Sequence, residues 1–363
     1  MNQTIQNNSL EEKFAKISHE VDAMKTRLNK PTSRPMSSKD ASQYILSDNE
    51  SKYNEAFDKY LRSGSSDKLD DLSLEYKSYF KNNANNDIGY SVTNKMNQSI
   101  YNGINEMCPM RNISSVMQVS TDSVEIIDQK EKIIAGWSDS AIKETESSNA
   151  MSFAKQIISI NDLYAQPKIT QRLLDDPRLN ASEWLSNELT EIFQRKENEA
   201  FINGDGVNKP RGILTQASEI ETVVNDSPAH ITLESLKKLY YSLDDVYVRN
   251  AKFLMHRSVA ESISRIRDNN SFIWKGNIGD SDKNTLFGLE IVLTSDMPKL
   301  SQGNIVIALA DFNKCYQIID NGGINVLRDP YTQKPFVKFY SHKKTGGDVV
   351  NHDAIKFLKM PSK

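Results

Sequence analysis

The residues most able to do chemistry stand in one polar turn, which runs from Asn203 to Gly212. A phosphate-binding loop of the G-x-x-x-x-G-K-[ST] type needs a hydroxyl residue after its lysine, but Pro210 follows Lys209. A calcium loop needs alternating oxygen ligands that end in a glutamate, and Asp205 stands alone here. The sequence therefore favours neither ligand site, and the plainest interpretation is a glycine-rich turn that stops a helix.

Histidines and cysteines are the remaining candidates for catalysis or metal binding. No histidine belongs to an H-E-x-x-H motif or lies at metal-ligand spacing from a cysteine, and no G-x-S-x-G occurs. Cys108 and Cys315 are far apart, which argues against structural zinc and a disulfide framework. A Ser-His-Asp triad is defined by geometry and stays open at this point. We therefore predict no catalytic residue, cofactor or metal ligand, and expect His256 to be a packed histidine.

A long amphipathic helix must position the polar turn. Asn180 and Glu183 fit a capping box at its start. We expect Gly204 to close the helix in the left-handed conformation, Pro210 to prevent it from resuming, and Ile213–Leu214 to begin a strand. The apolar stripe of this helix consists of Trp184, Leu185, Leu189, Ile192, Phe193, Ala200 and Phe201.

Composition indicates a globular protein with about two domains and an extension. The chain has 363 residues, of which 38% are hydrophobic and 26% charged, and its net charge of −3 gives no polybasic signature for nucleic acid or membrane. The polar N-terminus lacks the apolar segment of a signal peptide, and no apolar run approaches the ~20 residues of a membrane span. We expect the protein to be cytoplasmic when made.

The first 87 residues read as a helical extension. Residues 9–30 carry a heptad seam, which predicts a short coiled coil that packs on a partner helix or on its own chain. Residues 31–51 are predicted to be a linker, Tyr53–Leu61 a helix stopped at Gly64, and residues 69–80 a third helix. The polar stretch Lys81–Asp87 then marks an exposed boundary, so the extension is expected to be separable from the main fold.

Residues 121–149 form an unusually polar segment with an apolar centre. Seven acids and three lysines surround the apolar run Ile133–Trp137. Residues 153–160 are expected to return as a strand. An acidic surface hairpin explains this pattern without any partner.

The last third of the chain is predicted to be rich in strands. Leu289–Leu293 and Ile305–Leu309 are apolar and rich in β-branched residues, which is typical of core strands. Asn321-Gly322-Gly323 is a hairpin signal between the apolar runs Tyr316–Ile319 and Ile324–Leu327. Phe336–Tyr340 and Ile355–Leu358 are expected to be the final strands.

Several motifs together resemble one family. The segment Asn203–Leu214, after a long helix, closely resembles the hallmark turn that follows the "spine" helix in tailed-bacteriophage major capsid proteins of the Hong Kong phage type. Cys108–Arg111 and Arg328–Tyr331 also resemble this family. The order of Tyr164–Thr170 and Leu173–Asp176 before the helix is similar to that in capsid proteins of alphaproteobacterial prophages and gene transfer agents.

The resemblance implies an α+β phage capsid fold, with a long spine helix and sheet in a peripheral domain, an apical domain, an extended β-hairpin loop and the N-terminal extension. The implied divisions are 1–87 extension, 88–120 N-terminal arm, 121–160 extended loop, 161–225 peripheral domain, 226–325 apical domain and 326–363 return to the peripheral domain. The family hallmark residues are Asn203, Gly204, Asp205, Gly206, Lys209, Pro210 and Gly212.

The implied function is assembly: hexamers and pentamers of one chain close into an icosahedral shell around double-stranded DNA, with no sequence-specific contact and no membrane. The virion would be assembled in the bacterial cytoplasm, with a portal and a prohead protease as further partners. The protease would remove the extension, which acts as a built-in scaffold. Ile133, Ile134 and Trp137 would contact the neighbouring subunit. No Lys–Asn crosslink can be assigned. An encapsulin-like shell, or a soluble enzyme with Asp205 in a ligand-binding turn, are the alternatives.

Overall fold

The computed structural model describes residues 38–66, 69–72, 89–129, 153–268, 271–272, 274 and 285–362. The predicted coiled coil at residues 9–30 lies outside these ranges, and so do Ile133, Ile134 and Trp137. The chain divides into two compact units, Met1–Ser51 and Lys52–Lys363. The second unit contains the sheets, the long helix and the polar turn.

Helices and strands alternate irregularly along the chain, as the predicted α+β class requires. The helices are α1 (Ser38–Ser63), α2 (Asn94–Met107), α3 (Pro109–Ile113), α4 (Gln171–Leu174), α5 (Ala181–Asn203), α6 (Leu233–Ser242), α7 (Asp245–Val248), α8 (Arg257–Ser264) and α9 (Phe312–Cys315). The strands are β1 (Tyr90–Ser91), β2 (Ser115–Val119), β3 (Ser123–Gln129), β4 (Phe153–Ser159), β5 (Asn161–Ala165), β6 (Lys168–Thr170), β7 (Thr222–Val224), β8 (Lys252–Met255), β9 (Arg267–Asp268), β10 (Ser271–Phe272), β11 (Thr285–Leu286), β12 (Leu289–Leu293), β13 (Ile305–Ala310), β14 (Tyr316–Asp329), β15 (Phe336–Val349) and β16 (Ile355–Lys359).

Helix α5 is the predicted spine helix. The side-chain oxygen of Asn180 accepts a hydrogen bond from the Glu183 N–H at 3.3 Å, which caps the first turn. Leu185, Leu189 and Phe193 are fully buried along one face, whereas Trp184 is half-buried against the Phe339 ring. Burial of this stripe, rather than helix propensity, supplies most of the stability of a helix in a folded protein.

The end of the spine helix differs from the prediction. Gly204 has φ −61° and ψ 141°, so it is extended rather than left-handed, and the positive φ angles belong to Gly206 (81°) and Asn208 (54°). Ile213–Gln216 is a short 3₁₀ helix rather than a strand. The reason is a tight closure of the turn, because the Gly212 N–H donates to the Gly204 carbonyl at 2.9 Å before the chain can extend.

A six-stranded sheet is organised around the long hairpin of β14 and β15. Strands β1 and β2 pair with β14, and β5 and β6 pair with β15. The hairpin predicted at Asn321-Gly322-Gly323 is wrong: this segment is a bulge inside β14, with Gly322 at φ 69°. Asn321 pairs with Lys344 and Asn325 with His342, so the extra residues loop out while both flanks keep the same partner strand.

A second six-stranded sheet, in the order β11-β12-β8-β13-β16-β7, separates two hydrophobic cores. Side chains alternate between its faces, as the pleat requires. Leu254, Ala308 and Phe357 face the core that contains the spine helix, which we name the spine core. The other face packs on α6 and α8 and forms the apical core, which includes Leu236, Phe253, Met255, Ile263, Ile307, Leu309 and Leu358.

The strand predictions for this part of the chain are confirmed. Residues 289–293 form β12, residues 305–309 lie within β13, and residues 355–358 lie within β16. Strand β16 pairs with β13 and β7, so the end of the chain belongs to the wall between the two cores.

Strands β3 and β4 form a two-stranded antiparallel arm, with registers from Ser123–Ser159 to Gln129–Phe153. Among the described residues the arm pairs with no other strand. Gln156, which pairs with Ile126 in the middle of the arm, holds the arm against β15, since its side-chain amide donates to the Asp348 carboxylate at 2.9 Å and to the Val349 carbonyl at 2.8 Å. The segment predicted as an extended loop therefore begins and ends as a paired hairpin arm.

The N-terminal region departs from the predicted linker and boundary. Helix α1 already begins at Ser38, so the linker assignment fails for residues 38–51, while the predicted stop at Gly64 is confirmed (φ 80°). Tyr53, Phe57 and Tyr60 are buried in the spine core. Residues 52–66 and 69–72 are therefore not a separable part of the extension, because their aromatic side chains are buried in this core.

The described helices include none that is both long enough and apolar enough to cross a bilayer.

Candidate assembly site

The turn after the spine helix is held together by its own backbone. The Gly204 carbonyl accepts from the Gly212 N–H at 2.9 Å and from the Thr215 hydroxyl at 2.6 Å. A Cβ on Gly204 would stand 2.1 Å from the Pro210 carbonyl oxygen, and one on Gly212 would stand 2.6 Å from the Gly204 nitrogen. Only glycine fits at these two positions, so their occurrence in the turn has a steric cause.

Asp205 shapes this turn rather than presenting a free carboxylate. Its Oδ1 accepts from the Val207 N–H at 2.9 Å, and its Oδ2 lies 3.2 Å from the Lys209 ammonium. The Val207 hydrogen bond, and to a lesser degree Lys209, hold the pKa of Asp205 below its usual value. An Asp that accepts a bond from the backbone two residues on is a common turn-former.

The turn also joins the spine helix to both sheets. The Arg211 N–H donates to the Gly347 carbonyl in β15, and the Tyr316 hydroxyl at the start of β14 donates to the Arg211 carbonyl, both at 2.9 Å. On the other side, Asn203 donates to the Asp296 carbonyl at 2.8 Å, beyond the end of β12. The hallmark residues therefore form a structural joint that fixes the helix between the sheets.

A cavity of about 270 Å³ lies beside this joint. It is bordered by β5, the last turns of the spine helix and the polar turn, with Asn161, Lys196, Asn203, Lys209 and Thr345 among its lining residues. Within the described ranges no cluster of three or more His, Cys, Asp or Glu is suited to a metal ion.

Four charged side chains are buried beneath the joint. Arg111 donates to Glu197 at 2.5 Å and, through both terminal nitrogens, to Asp320 at 2.7 and 2.8 Å. The Lys343 ammonium pairs with Glu197 and lies 3.8 Å from Asp320. These four residues, the buried charge cluster, connect α3, the spine helix, β14 and β15, and none of their side chains is more than 3% exposed.

Charge balance makes this burial tolerable. Burial alone would raise the pKa of Asp320, but Lys343 and then Arg111 lower it to about 2. Burial alone would also lower the pKa of the Arg111 guanidinium, yet Glu197 and Asp320 raise it well above the usual value. Thr345 adds a hydrogen bond to Asp320 at 2.9 Å, and the Tyr101 ring lies 4.6 Å from the Lys343 ammonium. The cluster thus contains two paired positive and two paired negative charges.

Sequence reasoning missed this cluster because its members are scattered along the chain. One signal was present: Glu197 follows Phe193 by four residues and so falls on the apolar stripe of the spine helix. Nothing in the sequence spacing links Glu197 to Lys343 or Asp320.

Among the described residues, the histidines and cysteines do not gather into a site. His256 caps α8 by accepting from the Ser258 N–H at 3.0 Å, rather than packing in the core as expected. Cys108 and Cys315 are both buried and free. Burial raises the pKa of the Cys108 thiol to about 11 and raises that of Cys315 further, which makes both thiols poor nucleophiles.

The long helix, the glycine joint and the two-stranded arm lie at the positions for which the sequence resemblance to capsid proteins implied a spine helix, a hallmark turn and an extended loop. The family model described as the phage capsid family matches residues 88–360. The chain therefore belongs to the phage capsid family and is a major capsid protein, a structural component of a particle whose subunits assemble into a shell.

Solved structures agree with this assignment. The capsid of a native gene transfer agent particle is 31% identical, with a TM-score of 0.63, over 70% of this chain and 91% of its own. A solved structure from Microbacterium phage Oxtober96 shares the fold at 12% identity, with a TM-score of 0.53 over 70% and 91% of the two chains. The encapsulin of a complex from Synechococcus elongatus PCC 7942 shares it at 11% identity and a TM-score of 0.50, over 79% and 94%. Comparison with curated protein sequences gives no match.

Proposed function

We propose that this chain builds an icosahedral head from hexamers and pentamers and that the head encloses double-stranded DNA. The observation that carries the proposal is the 31% identity to the capsid of a native gene transfer agent particle over 91% of that chain. A net charge of −3 suits a shell that surrounds DNA without binding it tightly. The head would form in the bacterial cytoplasm and would meet a portal at one vertex.

The arm of β3 and β4 is the proposed intersubunit element. It is a two-stranded sheet that pairs with no other strand among the described residues, and exposed Ile157 and the Glu125–Lys155 pair lie on it. The segment between these strands holds Ile133, Ile134 and Trp137, which we propose contact the neighbouring subunit. Apolar and aromatic residues at such a position are typical of interface hot spots.

We propose a structural role without catalysis. Asp205 was the candidate ligand-binding carboxylate of the turn, but its two oxygens contact the Val207 N–H and the Lys209 ammonium within the turn itself. An encapsulin-like compartment has the same fold, but the similarity to encapsulin at 11% identity concerns the fold alone.

The N-terminal region is the proposed target of a prohead protease. The polar stretch Lys81–Asp87 precedes the family match, which begins at residue 88. We expect mature heads to contain a chain that begins within about ten residues of Asn85, as exposed polar segments are preferred cleavage sites. Intact-mass measurement of mature particles tests this expectation, and retention of Met1 would contradict it.

The shell proposal is tested by expressing the chain and separating the product by sedimentation before electron microscopy. Closed icosahedral particles with hexameric and pentameric units are the expected result. Nuclease-protected DNA in heads from the native host then distinguishes a DNA container from a protein compartment. A small oligomer whose melting temperature rises with a small ligand would instead support the enzyme alternative.

A further inference from the structure

The N-terminal helix ends in a segment that is docked on the body of the subunit through specific contacts. We call residues 52–66 and 69–72 the docked segment. Its apolar face consists of five side chains that are at most 5% exposed: Tyr53, Phe57, Tyr60, Leu61 and Leu69. This segment precedes the family match, which begins at residue 88.

Two arginines hold the segment on the body, one donating hydrogen bonds from the segment to the body and the other from the body to the segment. Arg62 of the segment donates to the carbonyls of Leu174, Asp176 and Leu179, in the chain that leads into the spine helix. Arg328 of the body donates to the carbonyls of Leu61 and Arg62 at 3.1 and 3.2 Å, at the C-terminal end of α1. Charged donors to the carbonyls of a helix end satisfy groups that would otherwise lack partners.

Aromatic contacts complete the docking. The Tyr53 hydroxyl donates to the Ser91 carbonyl at 2.6 Å, and the Tyr60 ring meets Tyr90 edge-on at 4.8 Å. The Arg328 N–H donates to the Tyr60 hydroxyl at 2.9 Å. A Cβ on Gly64 would lie 2.9 Å from the Arg328 guanidinium, so this glycine allows both the helix end and the arginine contacts.

We propose that this body surface is a binding site for the docked segment, strong enough to retain it after the chain is cut between residues 73 and 88. A cut there removes the covalent link but none of the contacts described above. In a head matured by such a cut, the severed fragment would remain on each subunit as a bound peptide. The inference concerns the unassembled subunit too, so it does not depend on head formation.

The test uses the full-length chain with a site-specific protease sequence inserted between Asn83 and Ala84. The unassembled subunit is cut and passed through gel filtration in native buffer and again in denaturant. The expected result is that both fragments elute together in buffer and separate in denaturant. Separate elution in buffer would overturn the proposal, whether the body then stays monomeric or aggregates.

Three variants of α1 establish that retention comes from these contacts. Phe57→Ala should speed dissociation of the cut fragment about a hundredfold or more, because the ring is fully buried. Arg62→Ala should speed it about tenfold, through lost hydrogen bonds to carbonyls. Glu55→Ala, on the exposed face of the same helix, should leave the rate unchanged. Equal rates in all three variants would also overturn the proposal.

Discussion

The spine core and the apical core share one sheet but are stabilised differently. The spine core borders four buried charges, whereas the apical core is lined by apolar side chains, and the Lys252–Glu290 pair at its edge is 31% exposed at both ends. Apolar cores tolerate changes that conserve volume, but buried charges demand their partners. The difference indicates that the spine helix has one fixed position relative to the hairpin of β14 and β15, since any shift would separate charges inside the protein.

The largest expected effect comes from unbalancing the buried charge cluster. Glu197→Gln leaves two cations against one anion, and we expect it to lower the free energy of unfolding by ~3–5 kcal/mol. Urea unfolding of the unassembled subunit measures the change. The matched control is Glu191→Gln on the same helix, whose pair with Arg195 is exposed and should contribute about 0.5 kcal/mol or less. Similar losses in the two variants would contradict the claim that the buried charge cluster depends on its charge balance.

A cavity in either core should cost a comparable amount. Phe193→Ala in the spine core should lower the free energy of unfolding by ~3–5 kcal/mol, and Leu309→Ala in the apical core by ~2–5 kcal/mol, because both side chains are fully buried. Trp184→Ala should cost less than Phe193→Ala, since Trp184 is only half-buried. Denaturant unfolding checks all three, and an unchanged Phe193→Ala variant would contradict the assignment of the stripe.

Lowering the pH should destabilise the spine core, which borders Asp320, and leave the apical core unaffected. The pKa of Asp320 is lowered from 3.8 to about 2, so its contribution is present in full above the unfolded pKa and is lost as the pH falls through the folded one. The shift corresponds to about 2 kcal/mol. Unfolding free energies between pH 5 and pH 2 should therefore fall less steeply in Asp320→Asn than in the wild type, whereas Leu309→Ala should keep the wild-type slope. Parallel curves for all three proteins would contradict the role of Asp320.

The spacing of apolar residues predicted the helices and strands that bury apolar side chains in a core. The spine helix and strands β12, β13 and β16 lie where the apolar spacing placed them. Local signals failed where tertiary contacts decide the backbone: Asn321-Gly322-Gly323 is a bulge because β15 continues past it, and Ile213–Leu214 turns because Gly212 closes on Gly204. Residues 38–51 were predicted to be linker because they are rich in Ser and Asp, yet they form the N-terminal part of helix α1.

The sequence predicted the glycine-rich joint of the candidate site but not the buried charge cluster. The resemblance to capsid proteins pointed to Asn203–Gly212, and the steric need for glycine at 204 and 212 explains that part of the pattern. The buried charge cluster depends on four segments that meet only in the fold. Ile133, Ile134 and Trp137 remain predicted contacts of the extended loop.

The central claim is that the loop serves assembly while the body folds without it. The direct measurement replaces Lys130–Glu146 by a short Gly-Ser bridge and records both the melting curve of the unassembled subunit and the yield of closed heads by sedimentation against protein concentration. The matched point variant is Trp137→Ala, which should weaken each intersubunit contact by about 2 kcal/mol and raise the critical concentration for assembly. We expect the deleted subunit to melt like the wild type and to form no closed heads. A deleted subunit that is unfolded, or one that still closes into heads, would contradict this claim.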